Sequence, residues 1–123
     1  MQENMQMTPM AKTIYNAMES FNGWSNRETW ATALWIDNDQ WLLETALDYA
    51  KQEIDGHDEG EEINPYHLGE TLKSWLEDDL LTLENIAGNQ SLFNMLTDIG
   101  SLYRIDWREL AESYLEQARE QVA

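Results

Sequence analysis

Cysteine is absent from this chain, valine occurs once, proline twice, and 7 basic residues stand against 24 acidic ones. Without cysteine there are no disulfides, no thiolate zinc site and no Cys nucleophile, which fits a reducing compartment. With almost no valine and no alternating apolar–polar run between turn signals, hairpins and sheets are not expected. The shortage of Lys and Arg gives a formal charge of −17. Direct binding to nucleic acid or to an anionic membrane would therefore be repulsive. No Gly-rich phosphate loop is present, and no Lys/Arg cluster could hold a phosphate. Long apolar runs are missing too. The opening MQENMQMTPMAK has neither a basic n-region nor an apolar h-region, so we expect no membrane span and a soluble protein of the host-cell cytoplasm.

What is present is enough to fold. The 123 residues are 42% hydrophobic and include six tryptophans, a composition that disordered acidic chains lack. The length fits one domain with one core. Helix punctuation recurs throughout. Thr8-Pro9 predicts a cap and first position, with Met10, Ile14, Met18 and Phe21 on one face of a helix over 9–21 that Asn22-Gly23 stops. Ser25 to Glu28 fits a capping box for a helix over 26–36. Asp37-Asn38-Asp39 breaks it, and a third helix runs to about 54 with Leu42, Leu43, Ala46, Leu47, Ala50 and Ile54 inward.

The stretch DGHDEGEEI over 55–63 is a loop. Asn64-Pro65 opens a fourth helix running to Gly88-Asn89, with Leu68, Leu72, Trp75, Leu76, Leu80 and Leu83 as its apolar positions. A fifth helix is expected over 91–103. Asp106 and Glu109 form a second capping pair for a last helix over 107–121, which buries Trp107, Leu110, Ala111, Tyr114, Leu115 and Ala118. The expected fold is all-α: one bundle of five or six short helices, the first (1–22) added to a core of 23–121.

Sites for chemistry are scarce. Asp55, Glu59 and Gly60 imitate the start of a calcium loop. His57 at position three and Tyr66 at position twelve, in place of a bidentate Glu, break the pattern, so no metal is expected. His57 and His67 show no ligand spacing. No carboxylate pair is marked for acid–base work, and neither enzyme activity nor a cofactor is expected.

The segment FNGWSNRETWATALWIDND is the most distinctive in the chain. Trp30 and Leu34 share a helix face, and Trp35 and Trp41 flank the next turn. We read these rings chiefly as a core staple, with a Trp-anchored interface as the other reading. Arg27 has acids near enough to pair with. The segment resembles the opening of a family of small acidic proteins carried by phages, plasmids and some prokaryotic genomes. Asp106-Trp107-Arg108-Glu109-Leu110-Ala111-Glu112 resembles that family's far end. The resemblance, over about 21–116, brings no established activity. It implies a mobile-element setting, where small acidic proteins often inhibit host defences.

Charge is the second informative feature. Residues 37–84 hold 15 acids and 2 bases, or 13 of the 17 net negative charges. Glu44 and Asp48 are flanked at seven residues by Asp37 and Asp55, and Glu70, Glu77 and Glu84 repeat every seven, so each set is expected to line one helix stripe. Such repulsion costs about 0.2–0.5 kcal/mol per like pair. Three accounts compete: mimicry of DNA, an acidic interaction or homo-oligomeric module without mimicry, and halophilic solvation. Mimicry is the reading taken forward. A counter-defence protein would occupy the basic groove of a host nuclease or other nucleic-acid-binding protein, such as a CRISPR effector or restriction enzyme. The candidate contact residues are Asp37, Asp39, Glu44, Asp48, Asp55, Asp58, Glu59, Glu61, Glu62, Glu70, Glu77, Asp78, Asp79 and Glu84. A homodimer remains compatible with this reading.

Overall fold

A computed structural model describes residues 8–10 and 21–122. Among them there are six α-helices and no strand, so the all-α expectation holds. The helix expected over 9–21 falls largely outside the described residues. Of its expected apolar face, Met10 is exposed and Phe21 packs its ring 6.2 Å from that of Trp30.

Helix α1 spans Arg27–Asp37. Its cap is Asn26 rather than Ser25: the Asn26 Oδ1 accepts from Thr29 N at 2.8 Å. Ser25 sits one residue too early and is engaged elsewhere. Helix α2, Gln40–Asp55, is capped by Asp39, which accepts from Leu42 N at 3.0 Å. Asn64 caps α3, Pro65–Ser74, with Pro65 at the position where its missing N–H costs nothing.

The expected continuous helix from 65 to 87 does not form. At Trp75 the pitch widens into a π turn, Trp75–Leu80, closed by Leu81 N–H to Leu76 O, five residues back, at 2.8 Å. Thr82 then caps a short helix α4, Leu83–Ala87. Asn85 donates to the carbonyls of Asp79 and Leu80 at 2.9 and 3.1 Å, satisfying groups that the break would orphan. Leu83, expected inside, is 89% exposed, and Leu81 is buried in its place.

Helix α5, Gln90–Ile99, is capped by Asn89 and stopped by Gly100 at φ +80°, four residues before the expected end. A 3-10 turn, Leu102–Arg104, leads into α6, Trp107–Val122. Asp106 caps α6 through Glu109 N at 3.1 Å.

Helix α6 is the axis of the core. Its Leu110, Ala111, Tyr114, Leu115 and Ala118 are buried against α2 and α3. Gly69 permits the closest approach: a Cβ there would stand 3.1 Å from the Trp107 carbonyl oxygen. Helix α1 covers the opposite side, between α2 and α5. Its buried residues are Thr29, Ala31, Thr32, Ala33 and Ile36, while Trp30 and Trp35 lie at the edges and Leu34 is exposed. The tryptophan staple is thus a rim. Small side chains let α1 approach closely, which leaves the large rings no room in the middle. Trp107 is likewise only half-buried, and Trp75 alone of the six tryptophans is fully in the core.

Candidate functional site

Helix α2 carries an outward acidic row. Leu42, Ala46, Leu47 and Ala50 are buried, and Glu44, Asp48 and Asp55 are exposed on the other side. Glu44 accepts from Gln40 at 3.0 Å. In the following loop Asp58, Glu59, Glu61 and Glu62 are exposed, with Glu61 Oε1 accepting from Asp58 N at 2.8 Å. Glu70, Asp78 and Asp79 are exposed on α3 and its π turn.

The seven-residue stripe through Glu70, Glu77 and Glu84 is not continuous. The π turn rotates Glu77 inward: it is half-buried, and its Oε2 is buried with no hydrogen-bond partner. Glu84 lies beyond the break, on α4. Two further candidates have local duties. Asp39 caps α2. Asp37 accepts from the buried Tyr114 hydroxyl at 3.0 Å. Desolvation there raises the Asp37 pKa, with the Tyr114 hydrogen bond pulling the other way. Burial, then the charge of Asp37, then the same bond, all raise that of Tyr114.

Three of the arginines are spent elsewhere. Arg27 pairs with Asp98 at 3.2 Å, Arg104 with Glu28 at 3.4 Å and Arg108 with Glu112 at 3.2 Å. Among the described residues no Lys or Arg pairs with a carboxylate between 37 and 84. The one contact of that kind is His67 Nδ1 to Glu53 Oε1 at 2.6 Å, joining α3 to α2. Nor do the described residues contain a His, Asp and Glu cluster able to hold a metal ion. None of their helices is long and apolar enough to cross a membrane.

Sequence reasoning missed a second feature. A cavity of ≈ 530 Å³ opens where α1 ends and α2 begins, roofed by the end of the π turn and by α5. Trp35 and Trp41 line it, with Leu42, Leu80, Leu92 and Met95 and the polar Asn38, Asp39, Asn89 and Ser91. Trp41 is 60% exposed. The Trp35 indole N–H donates to Asp98 Oδ2 at 2.8 Å, and Arg27 holds the other oxygen of that carboxylate. The aromatic run signalled this pocket, but its walls come from segments up to sixty residues apart.

The two recognisable motifs meet each other. Ser25 Oγ donates to Glu109 at 2.9 Å, Asn26 Nδ2 to the Arg104 carbonyl at 2.8 Å, and Asp106 N to Thr29 Oγ1 at 2.8 Å. Glu28, expected to complete the capping box, instead faces Arg104. Ser25, Asn26, Glu28 and Thr29 thus clasp the start of α1 to residues 104–109.

Residues 17–111 match the family of unknown function DUF7249, and the chain belongs to that family. The chain is also similar to the E3 ubiquitin-protein ligase hyd of Drosophila melanogaster, at 28% identity over 96 residues. That match covers 78% of this chain but only 3% of the ligase. No solved structure matches the chain.

Proposed function

We propose that this member of a family of unknown function is an inhibitor whose α2–loop–α3 face occupies the basic groove of a nucleic-acid-binding protein. The observation that carries the reading is the separation of charge. Glu44, Asp48, Asp55, Asp58, Glu59, Glu62, Glu70, Asp78 and Asp79 are exposed. Three of the arginines are paired with carboxylates outside 37–84. Lys51 and Lys73 are the two bases among these acids, and neither pairs with a carboxylate among the described residues, so the face stays strongly negative. Such a face attracts a basic groove over a distance and suits one that normally holds phosphates.

The match to DNA is one of field rather than of individual phosphates. From Glu44 to Asp55 the α2 row rises about 16 Å. It places three carboxylates there, where one DNA strand would place about five phosphates. The loop and α3 make up part of the difference. The mobile-element setting implied by the resemblance makes a CRISPR effector or a restriction enzyme the class of target, in the host cytoplasm. The similarity to a ubiquitin ligase, confined to a small part of that protein, lends no activity to this reading. No catalytic step is assigned to the chain.

The test is inhibition of DNA cleavage by a panel of such nucleases. Glu44→Gln, Asp48→Asn, Glu70→Gln and Asp78→Asn together remove four charges and keep shape. This variant is expected to lose inhibition by at least about tenfold, as charge-assisted contacts and steering go. Neutralising Glu19, Glu112, Glu116 and Glu120 is the control. Equal loss from both sets would make bulk charge responsible and sink the reading. An acidic interaction or homo-oligomeric module without mimicry is favoured by one observation, the exposed Trp41 beside an apolar cavity.

A further inference from the structure

We propose that the Trp35–Trp41 pocket receives an arginine side chain of the partner protein and anchors the complex. The source of that arginine, a basic partner, rests on the function proposed above; the chemistry of the pocket does not. Two indoles form its walls, and buried Leu42, Leu80 and Met95 form its floor. Trp35 is locked in place, since its N–H is held by Asp98 and Asp98 by Arg27. A wall already ordered costs little entropy on binding.

Asp39 is the one charged side chain in the lining. One of its oxygens caps Leu42 N, and the other has no hydrogen bond among the described residues. Arginine answers each of these features. Its methylenes cover the apolar floor, its guanidinium plane stacks on indole, and its N–H groups reach a carboxylate. An apolar anchor would desolvate Asp39, Asn38, Asn89 and Ser91 without offering them a partner. An anionic one would meet a chain of net charge −17. Lysine supplies charge without the plane. The pocket opens at the N-terminal end of α2, the helix that carries the acidic row, so one partner can engage both.

The experiment titrates the isolated protein with Nα-acetyl-arginine amide and follows the indole N–H resonances. Nα-acetyl-lysine amide and Nα-acetyl-leucine amide are the comparators. Trp35 and Trp41 are expected to shift saturably with the arginine probe and least with leucine. Trp41→Ala and Asp39→Asn are each expected to weaken binding about two- to fivefold, the scale of exposed cation–π and ion-pair contacts. Neither variant threatens the fold: the Trp41 ring is largely exposed, and Asn caps a helix as well as Asp. Unchanged melting temperatures check this. Equal response to leucine, equal response to lysine, no saturable shift, or no effect of either variant would each overturn the proposal. Because the probe is a single amino acid, the outcome is independent of nuclease inhibition. A titrating pocket on a protein that inhibits nothing would sink the proposed function alone.

Discussion

The backbone N–H of Asp106 donates to the hydroxyl of Thr29 at 2.8 Å, joining residues 77 apart in the chain. Thr29 is fully buried. Around this bond the Ser25–Glu109, Asn26–Arg104 and Glu28–Arg104 contacts form a clasp between the start of α1 and the start of α6. The matched family region, 17–111, spans both halves. The first and last parts of the matched region thus meet in an architectural device.

Thr29→Val keeps the shape and removes the acceptor. The Asp106 N–H is left in a partly buried position without a partner. The expected loss is about 1–3 kcal/mol of unfolding free energy, the cost of an unmet buried donor. Thr29→Ser, which keeps the hydroxyl, is expected to recover most of it. Denaturant titration of the three proteins measures both, and a Val variant as stable as the parent would show that the clasp contributes nothing.

The tryptophans supply a graded series. Trp75→Ala empties a core site and is expected to cost about 3–5 kcal/mol. Trp30→Ala and Trp107→Ala remove half-buried rings and are expected to cost less than Trp75→Ala. Trp41→Ala is expected to stay within about 0.5 kcal/mol. Thermal melts of the four variants test the order, and a Trp30 loss as large as that of Trp75 would return the staple to the core.

That order explains what the sequence can and cannot tell. Asn64-Pro65, the Asp37–Asp39 break and the inward face of α2 read directly, because caps and periodicity act within one turn. Ser25 and Asn26 are adjacent residues of similar capping ability, and contacts distant in sequence separate them: Ser25 is held by Glu109 and Asn26 by the Arg104 carbonyl. The π turn is hidden because Leu76 and Leu80 satisfy an α pattern up to the point where Leu81 takes the inward place. Its consequence for Glu77 could not be read either. The depth of each tryptophan, and the pocket between Trp35 and Trp41, depend on which helices meet, and no local pattern encodes that. The outward placing of Glu44, Asp48 and Asp55 was legible because the apolar period of α2 fixes which side faces the core.

Asp37 makes a pH-dependent contribution with a definite sign. Its carboxyl pKa is raised in the fold above the ordinary 3.8, first by desolvation. The folded state therefore holds the proton more tightly than the unfolded state. Its contribution is fully present below the unfolded pKa and is lost as pH rises through the raised value. Asparagine at 37 can still accept from Tyr114 and does not titrate. The stability of the parent relative to Asp37→Asn is thus expected to be greatest near pH 3, to fall above pH 3.8 and then to level off. Denaturation of both proteins across that range reads the difference directly. A difference that grows with pH would reverse the assigned shift.

Salt is expected to move stability and binding in opposite directions. Thirteen of the net negative charges fall between residues 37 and 84. No Lys or Arg among the described residues pairs with a carboxylate there. Raising ionic strength from 0.01 to 1 M shortens the screening length from about 30 to about 3 Å. Repulsion across the face is then screened, and the melting temperature is expected to rise. Attraction to a basic groove is screened as well, so direct binding to the target, measured in the absence of DNA, is expected to weaken over the same series. The variant lacking the charges of Glu44, Asp48, Glu70 and Asp78 is expected to show shallower slopes in both measurements. A halophilic surface shares the first slope but has no reason to show the second. Target binding that persists at high salt would mean that contacts other than charge hold the complex, and the proposed reading of the acidic face as a DNA-like surface would fall.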